Sequence, residues 1–292
     1  MRELVGMPML RGHESPASWL SRAALSQGVG VSELMAYLGM PARRDPDLAM
    51  TENLLWNVVD LTGHSMASFS FAVHMFSGLK SIDPDGEKLL LWSKTGKPRY
   101  RFCPLCLNEP GCKYFPLHWR FKAWHWCPTH DCLLSERCPH CRCEVHLPGS
   151  MINAGHKKEG VASLDRCLHC AGKLDEGWEC IAHPLKERLA ADWEIALLKN
   201  GCAVLAAIFH RKFSILGSDQ KYSLDDFPRL RKMGALPHDL LTFSNQTLLA
   251  RRSLGKKPPR NHLGFLAQHS QPASVLEEVE EVLEKLRAMP EV

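Results

Sequence analysis

Eleven of the twelve cysteines in this 292-residue chain fall between Cys103 and Cys180, and only Cys202 lies outside that window. Cysteine used as core packing would be scattered, so the window has a chemistry of its own. Four short knuckles stand in order: Cys103-Pro-Leu-Cys106, Cys127-Pro-Thr-His130, Cys138-Pro-His-Cys141 and Cys167-Leu-His-Cys170. Each places two ligand-type side chains where a tight turn can aim both at one ion, and two such turns complete a tetrahedral zinc shell. Sequential pairing gives Cys103, Cys106, Cys127 and His130 as one site, and Cys138, Cys141, Cys167 and Cys170 as the other.

Proline follows the first cysteine in three of the four knuckles, as in the rigid turns of zinc ribbons. Disulfides and a redox CxxC are the competing readings. No βαβ pattern surrounds the cysteines, and the context reads as reducing, which favours metal. Protein donors fill all eight positions, so the expected cofactors are two structural Zn2+, not catalytic ones. Cys112, Cys132, Cys143, Cys180 and Cys202 have no assigned role. Cys132 remains an alternative to His130, and Cys143 to Cys141. Six aromatics in Tyr114–Trp126, with Arg120 and Lys122 among them, read as the core of a small metal domain in preference to a nucleic-acid stacking surface.

The expected fold is mainly α with small zinc-ribbon β elements. It divides into residues 1–100, helical; 101–180, tandem zinc ribbons; and 181–292, a C-terminal helical domain. Ser15-Pro16 is a helix start, with Trp19, Leu20, Ala23 and Ala24 at helical spacing behind it. Ser32 would cap a second helix that stops at Gly39 and Pro41. Thr51 would begin a third, ending at Gly63, and Ser65 a fourth, ending at Gly78. Short helices with tight turns suit either a helix-turn-helix-like arrangement or a plain bundle. Residues 80–100 read as a turn-rich connection.

Beyond the cysteines, 192–211 reads as a helix and 221–262 as shorter ones. The tail from Ser274 is an acidic amphipathic helix on Leu276, Val279, Leu283 and Leu286. Residues 181–270 carry fourteen Lys/Arg against seven Asp/Glu. Arg229, Arg231, Lys232, Arg251, Arg252, Lys256, Lys257 and Arg260 are the candidate nucleic-acid contacts. The N-terminus has no long apolar core before Arg11 and Glu14, so no signal peptide is expected. No run approaches the roughly 20 apolar residues of a membrane helix.

Three stretches together resemble the TniQ family, target-selection proteins of heteromeric DNA transposons related to TnsD. They are Glu14-Ser15-Pro16-Ala17-Ser18-Trp19-Leu20-Ser21-Arg22; Arg101-Phe102-Cys103-Pro104-Leu105-Cys106; and His118-Trp119-Arg120 leading to Trp126-Cys127-Pro128-Thr129-His130, then Leu133-Leu134 and Cys138-Pro139-His140-Cys141. Order and spacing match over roughly residues 5–175. The resemblance implies a helix-turn-helix-like domain followed by tandem zinc ribbons, in a non-enzymatic adaptor of a bacterial cytoplasm.

Such an adaptor links a target-recognition element to the transposon AAA+ ATPase, and through it to the transposase. The recognition element is either attachment-site DNA or a CRISPR effector with guide RNA. Trp19 and Arg22 are the candidate partner contacts, and a homodimer through the acidic tail is possible. No GxxxxGK[ST] loop is present, so the chain is not the ATPase. A stand-alone DNA-binding regulator is the competing function.

Overall fold

The computed structural model describes residues 4–41, 45–50, 52–111, 113–127, 129–130, 132–152, 162–176, 201, 204–214 and 220–233. These residues are mostly helical, with a few strands of two or three residues. No described helix is long and apolar enough to cross a membrane.

Helix α1 (Pro16–Ser26) begins as its sequence dictates. The Ser15 hydroxyl accepts from the Ser18 N–H at 3.1 Å, and Pro16 occupies the first turn, where its missing N–H costs nothing. Helix α2 (Val31–Tyr37) starts earlier than Ser32 suggests. The Glu33 carboxylate reaches back to the Gly30 N–H at 2.8 Å and fixes the start there. It ends as expected at Gly39, whose φ of 72° needs no Cβ to be accommodated.

A single turn, α3 (Pro46–Ala49), was not anticipated. Asp45 caps it, accepting from the Asp47 N–H. Helix α4 (Glu52–Thr62) stops at Gly63. Helix α5 (Ala67–Ile82) does not stop at Gly78 but runs through it. A Cβ at Gly78 would lie 2.7 Å from Arg211 Nη1 and 3.0 Å from the Ile208 carbonyl. This glycine is a contact point between two segments, not a helix terminator.

Two apolar clusters form the core. The first joins Trp19, Leu20, Ala23, Leu34, Leu38, Leu55, Val58 and Phe69 from α1, α2, α4 and α5 with the segment entering α1. The second takes the other face of α5 (Phe71, Met75, Phe76, Leu79) and packs it against the aromatic and cysteine segments and against Val204–Ile208. Helix α5 is thus the shared wall.

The turn-rich connection after it is partly interior. The Asp83 carboxylate accepts from the Lys88 and Leu89 N–H groups at 2.8 and 2.9 Å. The turn this makes delivers Leu89, Leu90 and Leu91 to the core, each at most 3% exposed.

The strands are short antiparallel pairs: β1 (Arg99–Tyr100) with β4 (Val145–His146), and β2 (Trp126–Cys127) with β3 (Cys132–Leu133). A third pair, β5 (Lys212–Ser214) with β6 (Lys221–Ser223), puts a strand at the start of the 221–262 region expected to be helical. A short helix, Phe227–Lys232, follows it. Residues 201 and 204–210 are helical within the 192–211 range expected as a helix. Residues 192–200, 202–203 and 234–262 and the acidic tail lie outside the described residues.

Candidate metal centres and the polar lock

The first cluster is assembled from a helix start and a hairpin. Cys103 caps α6 (Pro104–Asn108), its Sγ accepting from the Cys106 N–H at 3.5 Å. Proline at 104 fits the first helical position, so the knuckle is a helix N-terminus. Cys127 sits on β2, and His130 lies in the loop to β3. Donor separations are 3.5 Å for Cys106 to Cys127, 3.2 Å for Cys106 Sγ to His130 Nδ1, and 3.6 and 3.7 Å from that nitrogen to Cys103 and Cys127. The far nitrogen, Nε2, lies 3.1 Å from a Glu109 carboxylate oxygen. A carboxylate behind a ligating imidazole fixes its orientation and raises its basicity.

The second cluster is built from two matching turns. The Cys138 N–H reaches the Cys143 carbonyl at 2.9 Å, and Arg142 N–H the Cys138 carbonyl at 3.0 Å. Twenty-nine residues on, Cys167 N–H reaches the Gly172 carbonyl and Ala171 N–H the Cys167 carbonyl, both at 2.8 Å. Arg142 and Ala171 both have positive φ, 62° and 59°. Strand-like bridges Arg137–Glu144 and Arg166–Lys173 close the two turns. Across them, Cys138 lies 3.7 Å from Cys170, and Cys141 3.7 Å from Cys167.

These are the same eight residues and the same pairing that the spacing gives, and each set lies within 4.8 Å. A tetrahedral zinc with bonds of about 2.3 Å to sulfur has donor–donor edges of about 3.8 Å. Both sets approach that geometry. Their ionisation points the same way. In the first cluster, contact with Cys103 and its neighbours pushes the Cys106 thiol far above the ordinary range and holds Cys127 far below it. Thiols this close do not all ionise unless a cation sits among them. At Cys141, burial works upward, but the Cys143 N–H and the surrounding thiols bring it down to about 7. Soft thiolates with imidazole in a tetrahedral set suit zinc, and no donor position is left open for a reactant.

A polar lock joins the first cluster to the helices. Glu14, fully buried, accepts from Arg22 Nε and from the Ser18 hydroxyl, both at 2.8 Å. The Ser18 oxygen accepts the Phe115 N–H at 2.9 Å, and Ser15 N–H donates to the Phe115 carbonyl. Arg120 pairs with Asp45 and with Asp47 Oδ2, and its guanidinium lies 5.1 Å from the centroid of the Trp92 ring. Tyr100 donates to Asp47, whose other oxygen accepts the Ala17 N–H at 2.9 Å. Burial alone would lower the Arg120 pKa, but Asp45 and Asp47 hold it above its ordinary value. Arg101 pairs with Glu136 at 3.0 Å and donates to the Phe121, Lys122 and Trp124 carbonyls. Of these acids the sequence reading names only Glu14, in the resemblance; for Asp45, Asp47 and Glu136 the available signal is a charged residue beside apolar stretches.

The other site residues are placed differently. Trp19 is fully buried, its indole N–H donating to the Pro8 carbonyl at 2.7 Å and its ring edge-on to Phe69. Arg22 is spent on Glu14 and the Met9 carbonyl. Trp19 is therefore interior to the helical layer and presents no surface to a partner, whereas Arg22 is only partly buried, its side chain 11% exposed. The large exposed apolar side chains of that layer are Val5, Met9, Tyr37 and Trp56.

The five aromatics Phe115, Trp119, Phe121, Trp124 and Trp126 are each at most 3% exposed, so the stretch is core and not a stacking surface. Arg229 is exposed and paired with Asp226 at 2.9 Å, Lys232 is exposed, and Arg231 lies in the same short helix. Arg251, Arg252, Lys256, Lys257 and Arg260 lie outside the described residues, as do Cys112, Cys180 and Cys202.

Residues 7–134 match the model of the TniQ family. No curated protein matches the chain. The family match spans α1 to α6, the first cluster and the polar lock apart from Glu136, and ends just after β3.

Proposed function

From a chain that carries a TniQ-family domain over residues 7–134, we propose a non-enzymatic adaptor for target selection in DNA transposition. It links a recognition element, either attachment-site DNA or a CRISPR effector with guide RNA, to the transposon AAA+ ATPase in a bacterial cytoplasm. The family match carries this reading. The residues quoted for the resemblance, Glu14, Ser15, Ser18, Arg22, Arg101 and Arg120, take part in the polar contacts that join the first cluster to the helices, which supports this reading.

Each cluster would hold one structural Zn2+. The ion supplies folding free energy that short strand pairs cannot, and it takes no part in a reaction. The helices would act as a helix-turn-helix-like layer and the two clusters as tandem ribbons. With Trp19 interior, the docking face for the ATPase is proposed on the outer side of α2 and α4, at Tyr37 and Trp56. The basic residues of 229–260 would meet nucleic acid.

The test is co-expression of the full chain with a transposon AAA+ ATPase, followed by affinity capture and size-exclusion chromatography. Co-elution is expected, weakened by Trp56→Ala with no change in unfolding midpoint. Absence of association, together with tight binding to a single DNA site, would replace the adaptor with a stand-alone regulator.

A further inference from the structure

Resting on the reading that the first cluster holds zinc, we propose that Cys132 is a fifth donor of that cluster and closes the shell when His130 is lost. The ladder places it there. Cys127 on β2 and Cys132 on β3 are directly opposed partners, and opposed residues in an antiparallel pair project to the same face. The Cys132 side chain is buried, 6% exposed, and its Sγ lies 3.7 Å from Cys103 Sγ. That separation matches the longest of the separations within the cluster, which run from 3.2 to 3.7 Å.

His130 is held less firmly. It projects from the loop between the two strands, and its outer nitrogen leans on Glu109, whose carboxylate is 55% exposed. The thiol is anchored by strand pairing and the imidazole by a surface contact. Zinc has no geometric preference from its d electrons and takes sulfur or nitrogen in a tetrahedral shell. The second cluster shows that this chain already builds an all-cysteine donor set.

The experiment uses the full chain, purified with zinc and separately with cobalt. Metal per chain is measured after gel filtration, alongside the cobalt absorption spectrum. Wild type, Cys132→Ser and His130→Ala should each retain two ions, whereas His130→Ala/Cys132→Ser should retain one. Cobalt-loaded His130→Ala should show a stronger thiolate-to-cobalt charge-transfer band than wild type, as a fourth sulfur replaces nitrogen.

A His130→Ala chain with one ion, or one that no longer elutes as folded protein, overturns the proposal, because a closed four-thiolate shell would hold the hairpin. A double variant that keeps two ions overturns it as well, since something other than Cys132 then completes the shell. Wild type without metal would instead defeat the zinc reading on which the proposal rests.

Discussion

The two clusters use the same donor chemistry in different mechanical settings. In the first, one cysteine caps a helix, another lies on a strand opposed to a further thiol, and the histidine leans on a carboxylate from outside. Around it, Arg101 and Arg120 connect the metal segment to Glu136, Asp45 and Asp47, and so to α1 and α3. In the second, both halves are one turn used twice, closed by local hydrogen bonds. Its ties to the helices are mainly apolar, through Val145, Leu147, Met151 and Leu164 in the core that packs on α5, with one polar contact from the Gly149 N–H to the Ser21 hydroxyl at 3.0 Å. An ion in the first cluster should therefore hold several elements together, and one in the second should hold a module.

The largest effect should separate the clusters outright. Cys103→Ser/Cys106→Ser removes two donors from the integrated site. Zinc binding at structural sites supplies on the order of 10 kcal/mol to folding. Loss of that ion should unfold the lock and α1 with it, seen as loss of protease resistance across residues 7–134. Cys138→Ser/Cys141→Ser should open only the region after residue 136. Equal damage from both pairs would break the comparison.

Next is Arg120→Leu, which leaves Asp45 and Asp47 buried beside Tyr100 without their cation. Breaking a buried ion pair from one side costs about 3–5 kcal/mol. Urea unfolding of the metal-loaded chain should show a loss of that size. A loss below about 1 kcal/mol would mean that the lock does not carry the junction.

How much of this the sequence discloses follows from the range of the forces involved. The two clusters of cysteine and histidine are legible because a metal-binding pattern demands fixed residue types at short spacing. The start of α1 was legible for the same reason: Ser15-Pro16 acts within one turn. Gly78 misled because a glycine that ends a helix and one that admits a neighbour look alike, and the neighbour, Arg211, is far away in sequence. The connection after α5 reads only as turn-rich because its polar residues satisfy its own backbone, while the three leucines that turn inward leave no periodic pattern. Arg120 and Asp47 are 73 residues apart, so their pairing leaves no local pattern. Strands of two residues are too short for an alternation to register.

A smaller effect sharpens the contrast through acid. His118 lies buried among Trp119 and Trp124, and desolvation, aided by nearby His13, pushes its pKa down to about 3. Unfolded, it titrates near 6.5, so the unfolded chain binds the extra proton first. Its contribution is complete above pH 6.5 and is lost as pH falls toward 3. At pH 5 the loss is about 2 kcal/mol from the difference between the two values. Unfolding of wild type and His118→Phe at pH 5 and pH 7.5 isolates it. The variant should lose less stability on acidification, and identical losses would remove His118 from the account.

The smallest effect tests whether the second cluster is modular. Arg142 is exposed and adopts a left-handed backbone, which costs a non-glycine residue about 1 kcal/mol. Its role in the turn is played by its main chain, through the hydrogen bond to the Cys138 carbonyl. Arg142→Gly keeps that bond and relieves the conformation, so this turn should hold its ion more tightly, by a factor of about five for 1 kcal/mol. The gain should appear as slower zinc loss to a chelator from one of the two sites. If the second cluster is a module, the global unfolding midpoint will not move. A rise in that midpoint would show that the second ion is coupled to the helices, and the difference between the clusters would then be one of degree.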